Sequence, residues 1–390
     1  MLDMEAIKNF SIDKSDWKKV KFGDVVFEPK ESVKDPVSEG IEHVVGLEHI
    51  DGEDMHLRRS ASMEESTTFT KKFSKGDLLF GRRRAYLKKA AKADFEGICS
   101  GDITVMRAKE ELLLPELLPF IVNNDKFFDF AITHSAGGLS PRVKFKDLAS
   151  YDFLLPEDKS AQLRLCELLH TATELKHKTE QQVSNLNAYY NTVVNDLFTE
   201  ANDAWDYVPL KSVSSINHKT LTSKTKDSYE FNYLDLSSIQ GPKKIGEMSV
   251  LSYGEAPSRA RRIVSDNSSV IALVRPYQRA FVFIDDGKDI VSSTGTAVVC
   301  ADANLDERFL FHQFFSSRFL RFCERMMTGS TYPAITADDL GLYKIGVPKK
   351  KEEQVCISTK LDEIESSQVK AEKLLNDNFL MYRNLINKVF

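Results

Sequence analysis

The chain has 390 residues, of which 42% are hydrophobic and 28% charged, and its 53 basic and 58 acidic side chains leave a formal net charge of −5. That length holds two or three domains with cores of their own, and the acidic balance excludes a polyelectrolyte binder that works by bulk charge. No apolar run approaches the ~20 residues of a membrane span, and Met1-Leu2-Asp3-Met4-Glu5 lacks the basic start and apolar stretch of a signal peptide.

Residues 1–156 predict a first mixed domain. Short β-branched and aromatic runs such as Val20 to Phe27 and Asp77 to Phe80 read as strands between Gly, Pro and charged turns, and the stretch from Pro115 to Phe130 reads as helical. Residues 157–200 change pattern: without Pro or Gly up to Phe198, they predict one long helix. Residues 201–348 predict a second mixed domain and residues 349–390 a second long helix. The order is globule, helix, globule, helix.

This order is a repeat. Trp17 has a counterpart in Trp205, and Gly137-Gly138-Leu139-Ser140-Pro141-Arg142-Val143 recurs as Gly329-Ser330-Thr331-Tyr332-Pro333-Ala334-Ile335. Asp147-Leu148 and Asp339-Leu340 follow; each copy then reaches a proline, Pro156 or Pro348, and a glutamine, Gln162 or Gln354, that opens the charged helical segment. One offset, 192 residues, relates the loop, the Asp-Leu pair, the proline and the glutamine without a gap. Two copies of one module imply a pseudo-twofold molecule that meets something with two similar ends.

Apolar positions in both long segments alternate by three and four residues, as a coiled coil requires. The first seam runs Leu165, Leu169, Ala172, Lys176, Thr179, Val183, Leu186, Tyr190, Val193, Leu197; the second runs Ile357, Leu361, Ile364, Gln368, Ala371, Leu375, Asn378, Tyr382, Leu385, Val389. Polar residues such as Lys176, Thr179 and Gln368 interrupt the seams and disfavour wrong registers. The expectation is an antiparallel pair that holds the globules apart over ~60 Å, at ~1.5 Å per residue. The fold class is α+β.

Basic residues point to the partner. Lys71, Lys72, Lys75, Arg82, Arg83, Arg84, Lys88, Lys89 and Lys92 stand between Thr67 and Ser100 against only Asp77, Asp94 and Glu96, with Tyr86 among them. The second copy carries Lys243, Lys244, Arg259, Arg261, Arg262, Arg275 and Arg279 in a comparable region, with Tyr277 and Gln278 interleaved. Arginine offers a planar fork to phosphates and guanine edges, and glutamine can read adenine, so these runs suit a groove-facing surface on DNA. Ser140, Arg142, Ser330, Thr331 and Tyr332 of the repeated loops join the candidate contacts.

Catalytic signatures are missing. The sequence has no phosphate-loop, dinucleotide or zinc-protease motif, no amino-methyltransferase Asn/Asp-Pro-Pro-Tyr/Phe, and no carboxylate cluster with the spacing of a nuclease metal site. The eight histidines show no metal-ligand spacing. Five cysteines without Cys-x-x-Cys spacing argue against disulfides or zinc and for a reducing, cytoplasmic compartment. No cofactor or metal is expected.

Together these signs resemble the specificity subunits of type I restriction-modification systems over essentially the whole chain. The residues that carry the resemblance are Trp17 and Trp205, Gly76-Asp77-Leu78-Leu79-Phe80, the loop from Gly329 to Ile335, and the proline-then-glutamine opening of each helix. The first copy departs from the family pattern at Arg142, and the second has only Ser269-Val270-Ile271-Ala272 where the first has Gly-Asp-Leu-Leu. The resemblance implies a non-catalytic reader of double-stranded DNA with a bipartite target, one half-site per globule. Two methyltransferase subunits and an endonuclease/translocase subunit would dock on it. A self-sufficient nuclease and a two-lobed coiled-coil scaffold for other proteins are the alternative readings.

Overall fold

The computed structural model describes residues 11–62 and 68–390; the opening residues read above for a signal peptide lie outside them. Strand β1 (Trp17–Lys21) pairs antiparallel with β10 (Asp152–Pro156), Trp17 opposite Pro156. The run from Val20 to Phe27, expected as a strand, is interrupted by a helical turn, α1 (Phe22–Val25), before β2 (Val26–Phe27). Phe22 and Val25, three residues apart, are both buried by that turn. Gly23 permits it, because a Cβ there would lie 2.7 Å from the Ala149 Cβ.

The rest of the first globule contains β3 (His43–Val45), β4 (Ala61–Ser62), β5 (Lys71–Phe73), β6 (Leu78–Gly81), β7 (Ala90–Lys92), β8 (Gly97–Cys99) and β9 (Ile103–Ala108). They form two four-stranded sheets ordered β2-β9-β6-β7 and β4-β3-β8-β5. The predicted helical stretch from Pro115 divides into a 3-10 turn, α2 (Leu118–Val122) and α3 (Asp125–Thr133). Asn124 makes the division, its side chain accepting from the Lys126 N–H as the cap of α3. After α4 (Phe145–Leu148) and β10 comes the 40-residue helix α5 (Lys159–Phe198).

The second globule repeats this plan strand for strand. β11 (Trp205–Pro209) pairs with β20 (Lys344–Pro348), Trp205 opposite Pro348. Between them lie β12 (Ser214–Ile216), β13 (Glu230–Leu234), β14 (Ser249–Ser252), β15 (Ala260–Ile263), β16 (Ser268–Ala272), β17 (Phe281–Ile284), β18 (Ile290–Ser293) and β19 (Thr296–Ala301). The sheet orders, β12-β19-β16-β17 and β14-β13-β18-β15, match the first pair position by position. The Ser269-Val270-Ile271-Ala272 segment occupies the same place as Leu78–Gly81. Both strands are wholly buried in their sheets and need apolar or small side chains rather than one consensus. Helices α6 (Glu307–Gln313), α7 (Ser317–Met326) and α8 (Ala337–Leu342) precede β20, and the 39-residue α9 (Lys351–Val389) follows it.

Two compact units result, and the cut between them passes through both long helices. One unit is the chain up to Glu180 with Lys373–Phe390; the other is Gln181–Glu372. In the first unit, Leu165, Leu169 and Ala172 of α5 and Tyr382, Ile386 and Val389 of α9 enter one core with Phe120, Phe127 and Phe128. In the second, Tyr190, Val194 and Phe198 of α5 and Leu361 of α9 share a core with Phe309, Phe311 and Phe315. Within each unit the helix segments are antiparallel. Thr179 meets Asn378 and Lys176 lies over Phe379 and Tyr382 in the first unit, and Asn187 meets Gln368 in the second.

The repeated glutamine has a physical role in both copies. Gln162 Nε2 donates to the Leu112 and Pro156 carbonyls, both at 2.9 Å, and its Oε1 accepts from the Leu114 N–H at 2.9 Å. Gln354 does the same with the Asn304 and Pro348 carbonyls and the Asp306 N–H. Each buried amide staples the first turn of a long helix to the last strand of its globule and to the preceding loop. Gln162→Ala or Gln354→Ala should lower stability by ~2–3 kcal/mol, since buried backbone groups lose their partners. Urea unfolding should show an earlier midpoint at unchanged slope; an unmoved midpoint would mean that water satisfies those groups.

Candidate nucleic-acid interface

Two loops distant in sequence meet on each globule. Arg82-Arg83-Arg84 leave β6 and enter a 3-10 turn over Ala85–Leu87; the second copy leaves β16 through Leu273-Val274-Arg275 into the turn Pro276–Gln278. Both turns are bounded by non-glycine residues in the left-handed region: Arg84 (φ 55°) and Lys88 (φ 49°) in one, Arg275 (φ 49°) and Arg279 (φ 53°) in the other. Each such residue costs ~1 kcal/mol or more and persists where its surroundings hold it, often at functional sites. Here the repeated loop does the holding. The Arg84 N–H donates to the Pro141 carbonyl at 2.9 Å, and the Arg275 N–H donates to the Pro333 carbonyl at 2.8 Å. The repeated loop is itself pinched by paired backbone hydrogen bonds, Ala136 with Arg142 and Thr328 with Ala334.

The tips project side chains into solvent. Leu139 is 97% exposed and Tyr332 69% exposed, and Tyr86 and Tyr277 stand exposed on the adjoining turns. Gln278, Ser330 and Thr331 are exposed beside them, while Ser140 is half-buried. The structure thus brings Arg82, Arg83, Arg84, Tyr86, Ser140 and Arg142 into one patch, and Arg275, Tyr277, Gln278, Ser330, Thr331 and Tyr332 into its counterpart.

The two patches are built differently. In the first, Asp102 Oδ1 accepts from Arg142 Nε at 2.7 Å and Oδ2 accepts from Arg83 Nη1 at 2.9 Å. The Arg142 hydrogen bond, with Arg83 behind it, holds the Asp102 carboxyl below the usual carboxylate range. Arg142, a departure in sequence, is thus one arm of an ionic clamp, and Asp102 is a site residue that its ordinary turn sequence concealed. In the second patch Val274 and Ala334 take those arms. Arg275 there lies 5.0 Å from the centre of the Tyr332 ring and donates to the Thr331 carbonyl at 3.2 Å.

Other candidate residues lie elsewhere or point inward. Lys88 Nζ donates to Asp125 at 2.6 Å, where Arg383 and Asn387 of α9 converge. Burial pushes the Asp125 carboxyl up, but these donors outweigh it and hold it far below its ordinary value. The equivalent Arg279 donates to Asn191 of α5 at 3.1 Å. These two residues tether the turns to the long helices. Lys71 and Lys72 belong to β5 of the other sheet; Lys71 donates to the Ile103 carbonyl at 2.8 Å and pairs with Glu28. Arg262 takes the corresponding place on β15, bridged to Thr220 as Lys71 is to Ser32. Arg261 stacks on Tyr253, and Arg259 binds Tyr233 Oη and Asp235.

One cluster of metal-ligand type forms among the described residues, where the sequence showed no such spacing: His312, Asp362 and Glu365. It is braced by cations. Arg308 donates to both carboxylates, and Lys243 Nζ lies 3.2 Å from Glu365 and 3.3 Å from the centre of the Tyr190 ring. Tyr190 Oη and Asp362 hold the two nitrogens of His312 at 2.7 and 2.8 Å. Burial pushes His312 below its ordinary pKa and Lys243 down to about 8. With its negative charge already matched, the cluster acts as an ion-paired brace between α9 and α6.

Residues 202–378 match the family model described as the type I restriction modification DNA specificity domain. The match covers the second globule and most of α9, somewhat less than half of the chain. The fold agrees with solved relatives. A chain from a structure concerned with complex assembly and conformational transition of the type I R-M system superposes with a TM-score of 0.60 at 20% identity, over 95% of this chain and 97% of that one. The type I restriction-modification S subunit from M. genitalium gives 0.61 at 12% identity, over 98% of each chain. No curated protein sequence matches the chain. No helix among the described residues is long and apolar enough to cross a membrane.

Asp102→Asn should free Arg142 and loosen the first loop patch. Hydrogen exchange at the Ala136 and Arg142 amides should then quicken by ~10-fold or more, as a local opening becomes easier. Unchanged exchange would show that the backbone pinch alone holds the loop.

Proposed function

We propose that the chain is a type I specificity subunit that reads a bipartite duplex target, one half-site per globule, through the joined loop pairs around Arg84 and Arg275. One observation carries the reading: in both globules a strained turn bearing arginine and tyrosine is bonded to a pinched tip loop, giving two similar but unequal surfaces. Arginine forks suit phosphates and guanine edges, and exposed rings and apolar tips suit base faces and thymine methyls. The net charge of −5 confines this chemistry to the patches.

The chain contributes no chemistry of its own in this proposal. Two methyltransferase subunits take one adenine from each half-site, a step that turns the base out of the stack, and an endonuclease/translocase subunit joins for cleavage, all in the cytoplasm. The paired long helices set the gap between half-sites.

Mapping methylated adenines in the host genome gives the target. Against that target, Arg84→Ala and Arg275→Ala should each weaken binding by ~1–3 kcal/mol if the guanidinium touches a base edge, each relaxing discrimination in one half-site only. A phosphate contact would instead weaken all sequences alike and reduce the salt slope by ~1. Binding and methylation unchanged in the double variant would overturn the assignment.

The gap offers a second test. Seven residues added to each helix, between Thr179 and Val183 and between Ala371 and Leu375, keep the heptad register and lengthen the pair by ~10 Å. The preferred gap should grow by ~3 base pairs at ~3.4 Å each, with some loss of affinity because the half-sites also rotate by ~100° about the DNA axis. Full methylation at the original spacing would show that the helices do not set the gap.

A further inference from the structure

The seam of the long helices carries polar groups that match in one combination. In the first unit Asn378 is fully buried. Its Nδ2 donates to Thr179 Oγ1 at 2.8 Å, and its Oδ1 has no partner. The Thr179 hydroxyl donates in turn to the Leu175 carbonyl. The 192-residue offset converts Thr179 into Ala371 and Asn378 into Leu186. In the second unit Gln368 Nε2 donates to Asn187 Oδ1 at 2.7 Å. The same offset converts that pair into Lys176 and Phe379, which meet in the first unit with the ammonium 5.5 Å from the ring centre. Each contact joins one residue of α5 to one of α9, and its offset counterpart is chemically different.

We infer that this seam is a pairing code that favours α5 with α9, tolerates α5 with α5, and rejects α9 with α9. If α5 meets the α5 of a second copy, Leu186 faces Thr179, whose hydroxyl keeps its bond to Leu175, and Asn187 faces Lys176, from which it can accept. No buried polar group is stranded. If α9 meets α9, Asn378 faces Ala371, so an amide whose oxygen is already bare loses its one donor bond, and Gln368 faces Phe379. A symmetric pair suffers both losses twice. An unpartnered asparagine amide inside a coiled coil selects against such a pairing. The exposed partner this seam fits is therefore the first half of a second copy of the chain. Given the proposed DNA reading, halves exchanged between chains build readers with a first and a second globule, or with two first globules, and not with two second globules.

The test keeps the full chain. A protease site placed in the 200–204 linker is cut after folding, and the nicked protein is loosened in mild urea, re-equilibrated and weighed by native mass spectrometry. First–second pairs should dominate, with second–second pairs ~10-fold or more below first–first pairs and the balance seen as unpaired second halves, as stranded buried amides imply. Asn378→Leu, which removes the amide, should raise second–second pairs to the first–first level. A statistical mixture in the parent, or no response to Asn378→Leu, would overturn the code. Should the halves stay locked, a urea-unfolding cycle on the intact chain decides: Thr179→Ala with Asn378→Ala should cost clearly less than the two single changes added, and additive costs overturn the proposal. These readouts contain no DNA, so their failure leaves the DNA reading to be judged by the Arg84 and Arg275 variants.

Discussion

Each globule is finished by the far end of the helix that begins at the other. Tyr382, Ile386 and Val389 lie at the end of the chain, yet they belong to the core built around Phe127. Tyr190, Val194 and Phe198 lie in the middle of the chain and close the core around Phe309. One polar joint repeats as well: Asn387 caps the Asp125 N–H and Asn195 caps the Ser317 N–H, at the same offset. Burying large side chains contributes ~1.5–3 kcal/mol apiece, so neither core is complete without the returning helix. The turns that carry Arg84 and Arg275 inherit this dependence, since Lys88 and Arg279 anchor them toward those same helices.

The repeat preserves the frame and varies the fittings. Strand order, the glutamine staple and the left-handed residues of the arginine turn are common to both copies. The tip loops are secured by different physics, an Arg83–Asp102–Arg142 clamp in one and an arginine laid on Tyr332 in the other. The helix attachments differ as well: an ion-paired brace around His312 and Asp362 stands where the first unit has Phe120 edge-on to His170. A rigid shared frame with unlike tips suits a reader of two unlike half-sites, because the backbone sets the position and the side chains choose the bases.

Strain is concentrated in the turns proposed to read DNA. Four left-handed non-glycine residues flank two three-residue turns, and in each copy the first of them is fixed by a hydrogen bond from a loop over fifty residues away. Pre-shaping of this kind lowers the ordering cost of binding.

The amino-acid sequence by itself determined the doubled architecture, the two long helices, their seam register and the placement of the glutamine staples. These are periodic or local features, written by spacing along the chain, and a 192-residue offset displays them without knowledge of any contact. Much of the candidate surface was legible for the same reason, since Arg84, Tyr86, Arg275 and Tyr277 stand in short runs of distinctive composition. Only the tertiary structure decided which charges remain available. Lys88, Lys71 and Arg279 read as binding residues until Asp125, Ile103 and Asn191 are brought to them, and Asp102 reads as an ordinary turn residue until it meets Arg83 and Arg142. His312 and Asp362 gain their relation from a helix crossing that no spacing reveals. The helical turn at Phe22 was hidden because apolar residues three apart beside a glycine fit a strand run as well as a helix. Joints such as Asn124 with Ile386 span 262 residues; the physical reason they stay invisible is that a side chain's partner is set by which faces the returning helix brings together, and not by its neighbours along the chain.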